Sequence, residues 1–496
     1  VNEREGFNMT RLPCALGGLL LTAVPVAADI SPRDVWDDWL ASAGDAEVST
    51  DQVEDLGDRL TVRGLSMTSG STEDEGRYTI EVDEITLSQN EDGTVGVSLS
   101  PRYPIILTDT GEDGTTRETR LVLEHPDLGM TVAEQDGRKV HSFEAPEVRV
   151  ILEDSSVEGE PLDVSGNVVL VDVDANYDVA ESGLGYSRLS ASRVEIAFDG
   201  VDPDGEGVFA VDMTMEGLES TNMLQLVSSD AAALARELPE GTSHEGSYSA
   251  ASTSFRLDGE TDGQTVAVAA RAGPGRTDLS VSTEGLRYAS ETESAELAIS
   301  GSSIPLPEVT VGIGTATSGF SIPLLADDSP GPFAFQISLL DVELDEGLWN
   351  MVDPAGVLPR DPGAVVMDVS GEMNVEEDID TTGMAGPSTA EVETVSLDRF
   401  LFALAEAELM ASGALDLLST SDSDQIPVGQ IDVVLTGVER LMERLIRAGI
   451  LPQEQATGTR MMLGMFATRG EGEDELVSNI RFTEDGGVFV NGQPVR

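Results

Sequence analysis

From about Leu60 onward the chain is written in a period of two. Tyr78, Ile80 and Val82 alternate with Thr79, Glu81 and Asp83, and Val95, Val97 and Leu99 follow a turn at Asn90-Glu91-Asp92-Gly93. Val148-Val150-Leu152, Val194-Ile196-Phe198 and Phe209-Val211-Met213-Met215 repeat the pattern. Alternation gives each strand one apolar and one acidic face, which is the mark of antiparallel sheet packed on one side. Between Val82 and Ile85 the apolar phase slips by one residue, which predicts a bulge near Asp83-Glu84. The expected fold class is therefore mainly β, a β-rich α+β protein. Long curved antiparallel sheets are expected with a few packed helices, including one at the N-terminus and a pair at the C-terminus.

The helices announce themselves by a change of period. Ser31 is placed to cap, Pro32 suits a first helical position, and Val35, Trp36, Trp39 and Leu40 form one apolar stripe. Leu224, Val227, Ala231, Leu234 and Leu238 predict a helix over 222–238 that Pro239 stops, followed by a Gly/Ser-rich stretch. Residues 397–417 have helical composition, yet Phe400, Phe402 and Leu404 alternate, as do Leu409, Ala411, Gly413 and Leu415. A hairpin turning near 405–408 fits better, because Gly413 would weaken a helix by about 1 kcal/mol. Val438, Leu441, Met442, Leu445 and Ile446 stripe a helix ended by Gly449, and Pro452 opens another that ends in Met461-Met462-Leu463-Gly464-Met465-Phe466. The methionines are expected to fill core between the helix pair and a sheet. A last hairpin turns at 484–487 and leaves through Asn491-Gly492.

The acidic faces set the electrostatics. Against 28 Lys+Arg stand 92 Asp+Glu, a formal charge of −64. Such a chain is repelled by phosphate backbones and by anionic bilayer surfaces, which excludes sequence-independent nucleic-acid binding. With 40% hydrophobic residues it still has material for a core, unlike a disordered acidic tail. Lys139 is the sole lysine, a composition that fits either a high-salt setting or a GC-rich genome.

Met9–Ala28 has the form of a secretory signal: Arg11, an apolar run from Leu12 to Val24, then Val26-Ala27-Ala28 before Asp29. Residues 1–8 read as an over-extended start. Cleavage after Ala28 would deliver a periplasmic protein with no transmembrane segment and, Cys14 being removed, no disulfide. The expected organisation is a signal at 1–28, a first β-rich half at 29–240 ending in a helix, and a second at 241–496 carrying the helix pair and final hairpin.

Three blocks give the chain a resemblance. They are Ala28–Trp39, then Leu348–Pro362 (LWNMVDPAGVLPRDP), and Gly449–Gln455 with Arg460–Phe466, closing on Val490–Gln493. Together they resemble an uncharacterised family of exported gram-negative proteins known as domain of unknown function 2125. That resemblance implies secretion and this kind of fold, and no activity. Ala411–Leu417 and Gly429–Gly437 are more loosely similar to the strand rhythm of AsmA-like envelope proteins, which implies a long curved sheet.

Catalytic patterns are absent from the sequence. No Gly-Lys-Ser/Thr phosphate loop and no G-x-S-x-G elbow occurs, and Gly312, Gly314 and Gly319 miss dinucleotide-loop spacing. His125, His141 and His244 have no metal-ligand spacing and are expected to be exposed or satisfied structurally. Asp172, Asp174, Asn176 and Asp178 copy the start of a calcium loop, but Tyr177 stands at its glycine, so a strand with an acidic outer face fits better. Asp202, Asp204 and Glu206, in a Gly-rich turn, are a weak calcium candidate lacking the closing acid.

One-sided strands in such number outrun the helices able to cover them. The first expectation is thus a non-enzymatic envelope protein with an apolar sheet face open to lipid or another hydrophobic partner. A carboxylate-dependent envelope hydrolase on a β scaffold, or a ligand-free interaction module, are the alternatives.

Overall fold

The computed structural model describes residues 30–495 except 45, 71–75, 111–114, 181–183, 202–206, 226–241, 327–328, 376–389 and 420–424. Among the described residues twenty-eight strands join into one antiparallel sheet. The mainly β expectation holds. The expected signal at Met9–Ala28, the calcium candidate Asp202, Asp204 and Glu206, and most of the helix expected over 222–238 lie outside the described residues. Asn222–Gln225, the start of that helix, instead ends the strand Gly207–Gln225 and pairs with Ser243–Gly246. Strands from either side of residue 240, Gly207–Gln225 and Ser243–Ala250, pair with each other.

The order of the strands is mostly the order of the chain. Arg138–Val157, Val164–Val179, Leu184–Val201 and Gly207–Gln225 lie side by side. Gly207–Gln225 then meets two shorter strands end to end, Ser243–Ala250 and Ser252–Thr261. These pair on to Gly275–Ser282 and Gln264–Ala272, and the two rows merge again on Gly285–Gly301. From there Val309–Ile322, Gly331–Leu344, Gly363–Val375, Ala390–Leu404, Ala407–Ser419 and Gln425–Thr436 follow one another to Glu475–Phe482. The expected hairpin is present: Ala405 and Glu406, both at positive φ (52° and 62°), make its two-residue turn.

The phase slip is real, but its cause differs from the expected bulge. Arg63 faces Glu84 and Leu65 faces Val82, so the register is unbroken. The irregular residue is Gly64 on the neighbouring strand, at φ 60°, where a Cβ would come within 2.2 Å of Asp51 Oδ2. Asp172 (φ 50°), Gly217 (62°), Ser294 (52°) and Asp341 (53°) occupy the same place in other long strands. At each, the apolar positions change parity: Ala175 and Val173 give way to Leu170 and Val168, and Ala295 and Leu297 succeed Leu286 and Tyr288. Asp is tolerated at positive φ better than most residues, and glycine is free there. A left-handed residue turns the strand so that its apolar side chains stay on one face of the sheet.

That face can be followed residue by residue, because partners in an antiparallel ladder share a face. One row runs from Val95 through Val132, His141, Tyr177, Ser187, Asn222 and Gly246 to Leu279. It continues through Tyr288, Phe320, Phe335, Val369, Leu397, Gly413, Ile431 and Ile480 to Val490.

Helices cover the two ends of this face. Pro32–Ser42 begins with the Ser31–Asp34 capping box and buries Val35 and Trp36 on a core of Leu60, Val62, Leu87, Val95 and Val132. Leu40, expected in its apolar stripe, is exposed. At the other end stand the short helix Glu346–Val352 and the pair Val438–Arg447 and Gln453–Phe466. Asp474 caps the first of the pair by accepting from the Glu439 and Arg440 amides at 3.0 Å each. The methionines do not fill core: Met461, Met462 and Met465 are 68%, 59% and 59% exposed, since the helix Gln453–Phe466 buries only Ala456.

Candidate functional site

Three places on the sheet have the geometry of a site. The first is the middle of the apolar face. Tyr288 and Phe320 stack there with centroids 5.4 Å apart, and Phe335 stands opposite Phe320 on the next strand. Phe320, Phe335 and Tyr248 are 36%, 42% and 37% exposed, whereas Leu87, Val95 and Val132 under the N-terminal helix are wholly buried. Among the described residues no helix lies over this stretch. From Leu279 to Leu397 the apolar row crosses six strands, about 24 Å at the usual strand spacing.

A concavity of about 1120 Å³ lies among the same strands, and Leu279, Tyr288, Phe320, Phe335 and Val369 of the apolar row are among its lining residues. Further lining residues come from the two neighbouring rows, one including Tyr186, Met223, Glu245 and Arg287, the other Arg188, Thr221, Ser247, Asp278 and Asp368. The groove is thus mixed, with apolar residues beside cations and acids in near balance. Asp278 is held below the usual carboxylate range by the Arg276 guanidinium at 2.8 Å, with help from the Ser247 hydroxyl. Asp398, at one end, is lowered by hydroxyl donors from Ser370 (2.6 Å) and Ser396 (2.7 Å). Both are therefore firmly ionised, the opposite of what a general acid requires. Asp172, Asp174, Asn176 and Asp178 lie in the strand Val164–Val179 as expected.

The third place is beneath the C-terminal helices. A cavity of about 420 Å³ separates the sheet from the helices Glu346–Val352 and Val438–Arg447. Trp349, Leu358, Phe402, Leu409, Leu441 and Leu445 line it, and Glu408 is the one charged lining residue. Phe402 shares the face of Leu397 through the ladder to Ala407–Ser419, so the cavity is a covered part of the same apolar face. The loop that follows Trp349 is pinned by Asp353, which is fully buried and accepts from the Leu358 amide at 2.7 Å. Burial pushes the Asp353 carboxyl up, and amide donors from Leu358, Val357 and Gly356 with the charge of Arg360 overcome it, leaving the group lowered.

The family model described as an uncharacterised protein conserved in bacteria, DUF2125, matches residues 247–495. This chain belongs to that family. The DUF2125 match includes Phe320, Phe335, Trp349 and both C-terminal helices, and the LWNMVDPAGVLPRDP block within it is the helix and pinned loop just described. No curated protein matches the chain. A solved structure, the ferric preacinetobactin receptor BauA of Acinetobacter baumannii, aligns over 90% of this chain and 78% of its own at 10% identity. Its TM-score is 0.16.

His141 is held structurally, as expected of a histidine in a strand. His125 and His141 are buried, at 3% and 8% exposure, and His125 Nε2 and His141 Nδ1 have no partner among the described residues. His141 is flat against Tyr177 (4.3 Å, 3°) and its Nε2 accepts from Trp39 Nε1 at 3.3 Å, so it ties the N-terminal helix to the sheet. Burial pushes both imidazoles down. Among the described residues no group of three or more His, Cys, Asp or Glu side chains is placed to hold a metal, and no helix is long and apolar enough to cross a membrane.

The sequence reading missed the aromatic row and the cavity. Phe333 and Phe335 do alternate in the sequence, but periodicity tells which face is apolar and nothing of what lies over it.

Proposed function

We propose that this DUF2125 protein is an exported, non-enzymatic protein of the cell envelope that holds a lipid or similarly apolar molecule against the uncovered middle of its sheet. The observation that carries the reading is the solvent-facing row Tyr288–Phe320–Phe335 between two helix-capped ends. Soluble proteins seldom leave a contiguous apolar patch of this kind without a ligand or partner for it. The Met9–Ala28 pattern supports export to the periplasm, and recovery of a chain beginning at Asp29 from the periplasmic fraction is its test. The groove, with two of its acids firmly ionised, favours no hydrolytic reading over this one.

The test is native mass spectrometry of protein purified without detergent. Lipid-sized adducts are expected on the wild type and are expected to vanish in Phe320→Ser/Phe335→Ser, two exposed positions whose loss leaves the fold standing. Wild-type protein that carries no adduct and takes none up from liposomes sinks the reading.

A further inference from the structure

We infer that the cavity under the C-terminal helices is a separate acyl-chain site, taking one chain end-on. It rests on the reading above only in taking a lipid-like molecule as cargo.

The lining excludes most other ligands. A polar molecule would leave its donors and acceptors unpaired against Leu358, Leu409, Leu441 and Leu445, at a cost of kilocalories for each group. About 420 Å³ falls in the ordinary size range for a small-molecule pocket and far exceeds a packing defect in a close-packed interior. The site also has a mouth. Val352 and Phe402 both line it, yet they are 56% and 43% exposed, so a hydrocarbon tail enters between helix and sheet without unfolding either.

The border of the mouth carries charge in ion pairs. Arg360 lies over the Trp349 ring, 5.9 Å from its centroid, and pairs with Glu346. Arg444, next to Leu445 in the helix, pairs with Glu406 at 2.8 Å beside the lining residues Ala405 and Ala407. Both bordering arginines are thus paired, and the one charge in the lining itself is Glu408. The occupant that fits a greasy lining and an open mouth edged by paired charges is a single acyl chain, and a fatty acid is the simplest molecule that carries one.

Trp349 makes the site readable, because the other two tryptophans, Trp36 and Trp39, lie in the N-terminal helix. The experiment is titration of the full chain with stearate carrying a nitroxide at mid-chain, followed by tryptophan fluorescence. Saturable quenching at one chain per protein is expected, and it is expected to disappear in Trp349→Phe. Phe402→Glu, which puts a charge at the exposed mouth, is expected to weaken binding about tenfold or more. Phe320→Ser/Phe335→Ser is expected to leave the quenching unchanged, so this site and the open sheet face fail or survive separately. Quenching that does not saturate, that persists in Trp349→Phe, or that ignores Phe402→Glu overturns the inference.

Discussion

Both ends of the apolar face are roofed by helix, and the two roofs differ in kind. At the N-terminal end Val35 and Trp36 press into a floor of Leu60, Val62, Leu87 and Val95, all with essentially no exposure. At the C-terminal end the buried cluster is smaller, Trp349, Leu358 and Ala405, with Leu404, Leu441 and Leu445 packed against it only in part. The contrast follows from the side chains offered. Two indoles on one short helix pack onto the strands beneath them, whereas the leucines of the C-terminal helix border a void. Like floors are thus dry and packed at one end and hollow at the other.

The largest expected effect breaks or confirms that contrast directly. Leu87→Ala is expected to cost about 2–5 kcal/mol, the range for a packed core leucine, while Leu445→Ala costs well under half as much because its side chain already borders empty space. Urea unfolding followed by circular dichroism measures both. Equal losses would mean that the C-terminal roof is packed as tightly as the N-terminal one.

Asp353 sharpens the comparison from the other side. Its lowered carboxyl gives stability that is present above the ordinary carboxylate pKa of about 3.9 and is lost as pH falls through the folded-state value. Asp353→Asn is expected to lower the urea midpoint at neutral pH, by less than Leu87→Ala, and to flatten the acid limb of a midpoint-against-pH plot. An acid limb identical to wild type would remove the anchor role.

At the N-terminal roof the titrating group is a base with the opposite charge and the same sign of linkage. An unfolded histidine takes up its proton near about pH 6.5, and the buried, neutral His141 resists it. Stability is expected to be level above that pH and to fall as the pH drops towards the lowered folded value. His141→Phe keeps the stack on Tyr177 and is expected to remove part of the fall, leaving the share due to His125. Unfolding midpoints at pH 8 and pH 5.5 test this, and a variant with the full wild-type slope would clear His141 of any part in it. The smallest effect belongs to the outermost helix. Met461→Gln/Met462→Gln/Met465→Gln is expected to change stability by no more than about 0.5 kcal/mol, and a loss of several times that would show those side chains to be buried.

Much of the architecture was legible in residue order. Ser31-Pro32 and the Val35-Trp36 pair marked the first helix, the strands of 78–99 and 194–215 were written in their alternation, and the 397–417 hairpin was recoverable from Phe400, Phe402 and Leu404 against a helical composition. The left-handed residues were half visible. The slip at Val82–Ile85 showed that something turned the strand, but the cause sat on a partner, Gly64, that only pairing identifies. The candidate sites were least visible of all. Met461 and Leu441 look alike as apolar letters on helical stripes, yet one faces water and the other a cavity, because exposure depends on a neighbour contributed from elsewhere in the chain. For the same reason nothing in the sequence separated a buried His141 from an exposed one.

From Gly285 to Thr436, nearly every strand finds its partner in the next one along the chain. The closing segments are therefore local, the longest joining Leu344 to Gly363 through the helix Glu346–Val352, and the newest hairpin offers its free edge to the residues that follow. A polypeptide delivered one end first can zip up in order of arrival, never waiting for a distant segment, and its growing rim stays unguarded until Glu475–Phe482 comes to rest on it.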